Sequence, residues 1–160
     1  MKKRIMSVCF ALLLMTNMLL ISTTNVEASS DDLILDGSYL THDEESIGYD
    51  TKITRGEDLL TGYSKCVRLG PGKLYAGGTT IAAHTVDSVQ VWVVVERAQE
   101  GDTAWSLYDN WSKENLDMDR VASNRSLDVE GGYYYRVRCT HAANSDMSSS
   151  FTDGIYIEEP

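Results

Sequence analysis

The chain has 160 residues and a formal net charge of −10, from 24 Asp and Glu against 14 Lys and Arg. That excess argues against nucleic-acid binding, which needs clustered basic residues to displace phosphate counterions. It argues equally against adhesion to anionic lipid or wall polymers by charge alone, and the length suits one domain with a real core.

The first predicted element is a secretory signal peptide over residues 1–28. Lys2, Lys3 and Arg4 make a charged start, Ile5 to Ile21 is largely apolar, and Val26-Glu27-Ala28 offers small residues where a signal peptidase cuts. Ser7, Thr16 and Asn17 interrupt the apolar run, which disfavours a membrane anchor. Cys9 lies inside that run and is not placed for lipid attachment. The expected product is secreted, with no membrane partner after cleavage.

Residues 29–61 read as an acidic leader, with nine Asp and Glu against Lys52 and Arg55. Such a composition buries too little apolar surface to offset the entropy of ordering, so the leader is predicted to be largely disordered. A short strand or turn is allowed around Leu33 to Leu35.

From residue 62 to residue 160 the pattern is β. Ser64 to Leu69 alternates and stops at Gly70-Pro71-Gly72, a strong turn signal. Lys73 to Tyr75 and Thr79 to Thr85 follow, with a bulge or bend expected at Gly77-Gly78. Val86 to Arg97 is the strongest strand, with Val89, Val91, Val93 and Val95 on one face and Gln90, Trp92, Val94 and Glu96 on the other. Ala104 to Trp111 is a predicted return strand, Ser112 to Asp119 a polar loop, and Arg120 to Val129 a short bulged strand. Gly132 to His141 is the central strand, Ala142 to Ser150 a small-residue loop, and Phe151 to Ile157 the last strand.

Cys66 and Cys139 are the cysteines that remain after cleavage, and in an exported protein they are expected to form one disulfide. Closing a loop of about 73 residues would contribute on the order of 4 kcal/mol.

Leu127-x-Val129-x-Gly131-x-Tyr133 resembles the tyrosine corner of immunoglobulin-like and fibronectin-type sandwiches, with Val129 and Gly131 where proline and threonine are often found. The fold class expected is therefore all-β: an antiparallel, immunoglobulin-like β-sandwich, with a jelly roll as second choice. The order GYSKC, GGTTIAAHTVDSVQVWVVVER and GYYYRVRCTHAA, spanning Asp58 to Ile157, also resembles a family of small secreted Gram-positive proteins of unknown function. Those motifs are structural, so the resemblance implies secretion and fold and carries no catalytic residue.

No motif supplies chemistry. Asn115-Leu116-Asp117-Met118-Asp119 opens like a calcium loop, but Arg120 and Ser126 occupy the positions that need Gly and Glu. His42, His84 and His141 lack ligand spacing, although His84 and His141 each flank an Ala-Ala pair near a strand end. A nucleophile elbow, a zinc-protease helix and a phosphate loop are all missing. No catalytic residue, metal or cofactor is assigned.

Alternation then defines one candidate surface. With Tyr133, Tyr135, Val137 and Cys139 inward, Trp92, Tyr134, Arg136, Arg138 and Tyr156 share the outer face. Aromatics with arginines suit stacking on a sugar or anchoring a partner, so the expected function is a secreted, non-catalytic module that binds a protein or a polysaccharide. An exported hydrolase or metal-dependent enzyme built on His84 and His141 is one alternative. A self-associating matrix component is another.

Overall fold

The computed structural model describes residues 34–50 and 56–160. The expected signal peptide lies outside the described residues, as do residues 29–33 and 51–55 of the leader. What is described belongs to one compact unit, Asp32–Pro160. It comprises β1 (Ile34–Leu35), β2 (Ser38–Thr41), β3 (Glu45–Tyr49), β4 (Leu59–Gly70), β5 (Lys73–Ala98), β6 (Ser106–Asp128), β7 (Tyr133–Ala143), β8 (Asp146–Phe151) and β9 (Gly154–Ile157). Among the described residues there is no helix.

The 26-residue β5 is the axis of the fold. β6 follows one of its edges, pairing from Lys73↔Asp128 to Arg97↔Ser106. Along the other edge β4 pairs with the first part and β7 with the second, Val89↔Ala143 to Ala98↔Tyr134. The β5–β6 register shifts between Ile81 and Val86. There the long strand turns, and the single nine-stranded sheet curls into a half-barrel. Every pairing is antiparallel except β2 with β9, so the sheet is mixed.

The concave side holds the core. Val89, Val91, Val93 and Val95 of β5, Tyr135, Val137 and Cys139 of β7, and Ile155 and Ile157 of β9 have no exposed surface. Tyr133 is half-buried and packs against them. The corner hydrogen bond is made by Tyr135, whose hydroxyl donates to the Glu130 carbonyl at 2.7 Å, and not by Tyr133. Gly132, with φ at +82°, lets the chain turn before β7. Tyr133 instead lies under the Arg97 guanidinium, 4.5 Å from ring centre to Cζ.

Several expectations are corrected. Ser112–Asp119 belongs to β6, with Ser112 opposite Trp92 and Glu114 opposite Gln90. Its polarity reflects an exposed outer strand, not a loop. Likewise Asp146–Phe151 is a strand, with Asn144 at φ +49° in the turn before it.

The β4–β5 ladder runs unbroken through Gly77 and Gly78. The glycines are needed for closeness: a methyl at Gly78 would overlap the Cys139 sulfur, and one at Gly77 would press on Asn124.

Cys66 and Cys139 are buried free thiols with no disulfide between them. Their seats explain it. The Cys66 sulfur lies 3.4 Å from the Tyr135 carbonyl, whereas that of Cys139 lies against Gly77 and Gly78, four residues farther along β7.

The described part of the leader is ordered. Asp36 and Gly37, both with positive φ, make a two-residue hairpin turn between β1 and β2. β2 then pairs with β9, and β3 pairs with β4. Its carboxylates are what composition failed to place. Asp36 meets Arg136 at 2.8 Å, and Asp50 accepts hydrogen bonds from Thr61 and Ser148. Order begins well before residue 62.

Candidate functional site

The outer face of β5, β7 and β9 carries the five predicted residues in the register that alternation requires. Trp92 lies opposite Thr140, Val94 opposite Arg138, Glu96 opposite Arg136, and Ala98 opposite Tyr134, which in turn faces Tyr156 on β9. Same-face neighbours along a strand are about 6.6 Å apart. The face is therefore long, and the rest of the chain treats its parts differently.

Its middle is covered. Arg136 is almost wholly buried, and its guanidinium bonds Glu96 Oε2 at 2.8 Å, Asp36 Oδ2 at 2.8 Å, the Asp36 carbonyl at 3.0 Å and Ser38 Oγ at 3.0 Å. Trp105, from the β5–β6 loop, lies over it at 4.6 Å and donates its indole N–H to the Leu35 carbonyl. Hydrogen bonding to Arg136 holds the Asp36 carboxyl below its usual pKa. Arg136 is thus a clamp for the β1–β2 hairpin and is not available to a ligand. Trp92 and Arg138 remain partly exposed on one side of it, with Arg138 tied to Glu96 at 2.9 Å.

On the other side is an open pocket of about 480 Å³, lined by His42, Gln99, Glu100, Gly132, Tyr134 and Tyr156. The His42 ring centre lies 4.8 Å from Tyr156 and 5.9 Å from Tyr134, and the two tyrosines are 5.1 Å apart. The Tyr134 hydroxyl meets His42 Nε2 at 3.4 Å. Burial raises the Tyr134 pKa, with the charge of Glu100 adding to the effect. Glu100 stands on a tight turn: Asp102 N–H donates to the Gln99 carbonyl at 3.1 Å, and Gly101 has φ +90° at the third position, as in a type II turn.

Two of the five predicted residues, Tyr134 and Tyr156, line this pocket. Three of its walls were not foreseen. His42 sits in the segment expected to be disordered, and Gln99 and Glu100 fall between the strands expected over Val86–Arg97 and Ala104–Trp111. A pairing of β2 with β9, fixed 114 residues apart by the bond from Ser38 to Thr152, leaves no local signal in the chain.

The two histidines of the enzyme alternative have different surroundings. His84 is exposed and meets Asp58 at 3.1 Å. His141 has no exposed surface, with Thr80 and Ser150 each 2.8 Å from a ring nitrogen, and burial pushes its pKa down to about 4. No group of three or more His, Cys, Asp or Glu among the described residues is arranged to hold a metal ion.

No family model, curated protein or solved structure matches this chain.

Proposed function

We propose that this chain is a secreted, non-catalytic binding protein with an immunoglobulin-like variant of the all-β fold, akin to the small secreted Gram-positive proteins whose motifs it resembles. The pocket of His42, Tyr134 and Tyr156 is its ligand site. One observation carries the reading: three aromatic side chains from β2's end, β7 and β9 converge on a cavity of about 480 Å³ beside the Glu100 turn. A pocket of that size with aromatic walls and a few polar groups is the usual form of a small-ligand site.

The test is a thermal-shift screen of soluble saccharides, peptides and small organic ions on wild-type protein, Tyr156→Ala and Trp92→Ala. Tyr156→Ala should lose the hits and Trp92→Ala keep them. Hits that all survive Tyr156→Ala would remove the pocket from the function. Peptide sequencing of the exported protein tests secretion separately, by asking for a new N-terminus near Ser29.

A second reading, self-association, has one observation in its favour. Among the described strands β6 pairs only with β5, leaving the other edge of 23 residues without a strand partner. Sedimentation showing a monomer at all concentrations would dispose of it.

A further inference from the structure

The walls of the pocket bear on its ligand. The ring planes of His42 and Tyr134 are inclined by 77°, those of His42 and Tyr156 by 45°, and those of Tyr134 and Tyr156 by 59°. A sugar stacks on one flat exposed ring. Rings inclined to one another in this way form a faceted aromatic wall and not one flat platform, a shape that suits a compact positive charge.

The charges agree. Neither lysine nor arginine lines the pocket. Glu100 has no cationic partner among the described residues, whereas Glu96 is held by Arg136 and Arg138, and Glu130 by Arg97. A second carboxylate, that of Glu159, lies near Gly132. The whole chain carries −10, a field that draws cations.

A primary ammonium is strongly hydrated and needs an acceptor for each N–H. The lining is mostly aromatic rings, with Glu100 the carboxylate among them, and a weakly hydrated quaternary ammonium can rest on such rings without needing a hydrogen-bond acceptor.

Resting on the binding reading above, we propose that the pocket of His42, Tyr134, Tyr156 and Glu100 binds a quaternary ammonium group of the choline type. The rings enclose the methylated nitrogen, and the Glu100 carboxylate balances its charge.

Isothermal titration of the protein with choline, and with its uncharged carbon isostere 3,3-dimethylbutan-1-ol, separates charge recognition from apolar filling. Choline should bind at least about tenfold more tightly than the isostere. Glu100→Gln, a change on an exposed turn that leaves the melting temperature in place, should weaken choline by roughly threefold to tenfold and the isostere hardly at all. Tyr156→Leu should abolish the preference.

Equal binding of choline and the isostere overturns the proposal, as does choline binding that ignores both substitutions, or no choline binding at all. If choline fails while a saccharide or peptide binds in a Tyr156-dependent way, the ligand site stands and the cation assignment falls. If no ligand depends on Tyr156, both fall.

Discussion

His141 shows how much one buried side chain can dictate. Thr80 Oγ1 donates to the Gln90 carbonyl at 2.8 Å, so toward His141 Nδ1 it can only accept. The ring is therefore the Nδ1–H tautomer, and Nε2 accepts from the Ser150 hydroxyl. Burial disfavours the charged ring and, opposed in part by the nearby Asp50 charge, lowers its pKa to about 4 from 6.5. The folded state then binds fewer protons than the unfolded chain between those values. Stability is fully present above about pH 6.5 and falls as pH drops toward 4, by on the order of 3 kcal/mol. Urea midpoints from pH 7.5 to 4.5 should show that slope, and His141→Phe should flatten it whatever it does to the absolute midpoint. A wild-type midpoint unchanged across the window would refute the assignment. Gly78 makes a second point at this scale: the added methyl of Gly78→Ala would meet the Cys139 sulfur, the Tyr63 carbonyl and Val91 together. None is the free end of a flexible chain, so the substitution should cost about 1–3 kcal/mol in a denaturant melt.

At the scale of elements, the hairpin of β1 and β2 hangs on Arg136. Arg136 and Glu96 are both nearly buried, and Asp36 is exposed. Removing the guanidinium leaves the Glu96 carboxylate with Arg138 alone, and unpairing a buried charge costs about 3–5 kcal/mol. Arg136→Ala should destabilise the protein by that order and speed hydrogen exchange selectively over residues 34–41. Asp36→Asn should cost far less than Arg136→Ala, because that end of the bridge faces water. Uniform protection after Arg136→Ala would mean that the hairpin is held by β9 alone. The same element shows what the sequence disclosed. Val89 to Val95 and Tyr135 to Cys139 revealed their buried sides by simple alternation, because each strand is buried on one face over many residues. Asp36-Gly37, the dipeptide of a tight hairpin turn, was also in plain view, but β1 and β2 are too short to alternate and their neighbours are acidic. What orders them is Arg136 and β9, about a hundred residues away. That partnership has no local trace, and His42 came into the pocket with it.

For the whole molecule, the relevant question is where the folding unit begins. Composition sets the start at residue 62; the structure begins the compact unit at Asp32. The difference comprises β1, β2, β3 and the first residues of β4, including Leu35 and Leu59, both buried. Burial of two leucines contributes roughly 3–6 kcal/mol, a large share of the 5–15 kcal/mol by which domains are stable. Losing β2 would also strip β9 of its parallel partner, and losing β3 would open the edge of β4. Residues 32–160 should thus melt in one cooperative transition, while residues 62–160 should melt many degrees lower, bind a hydrophobic dye and show no pocket-dependent ligand. Equal melting temperatures for the two fragments would restore the later boundary and reduce the N-terminal strands to a removable cover. If instead the short fragment is unstable but regains cooperative melting when a peptide of residues 32–61 is added, the strands are an integral layer of the sheet. The acidic segment would then stabilise the fold and complete the ligand site in the same docking event, since β2 leads directly to His42.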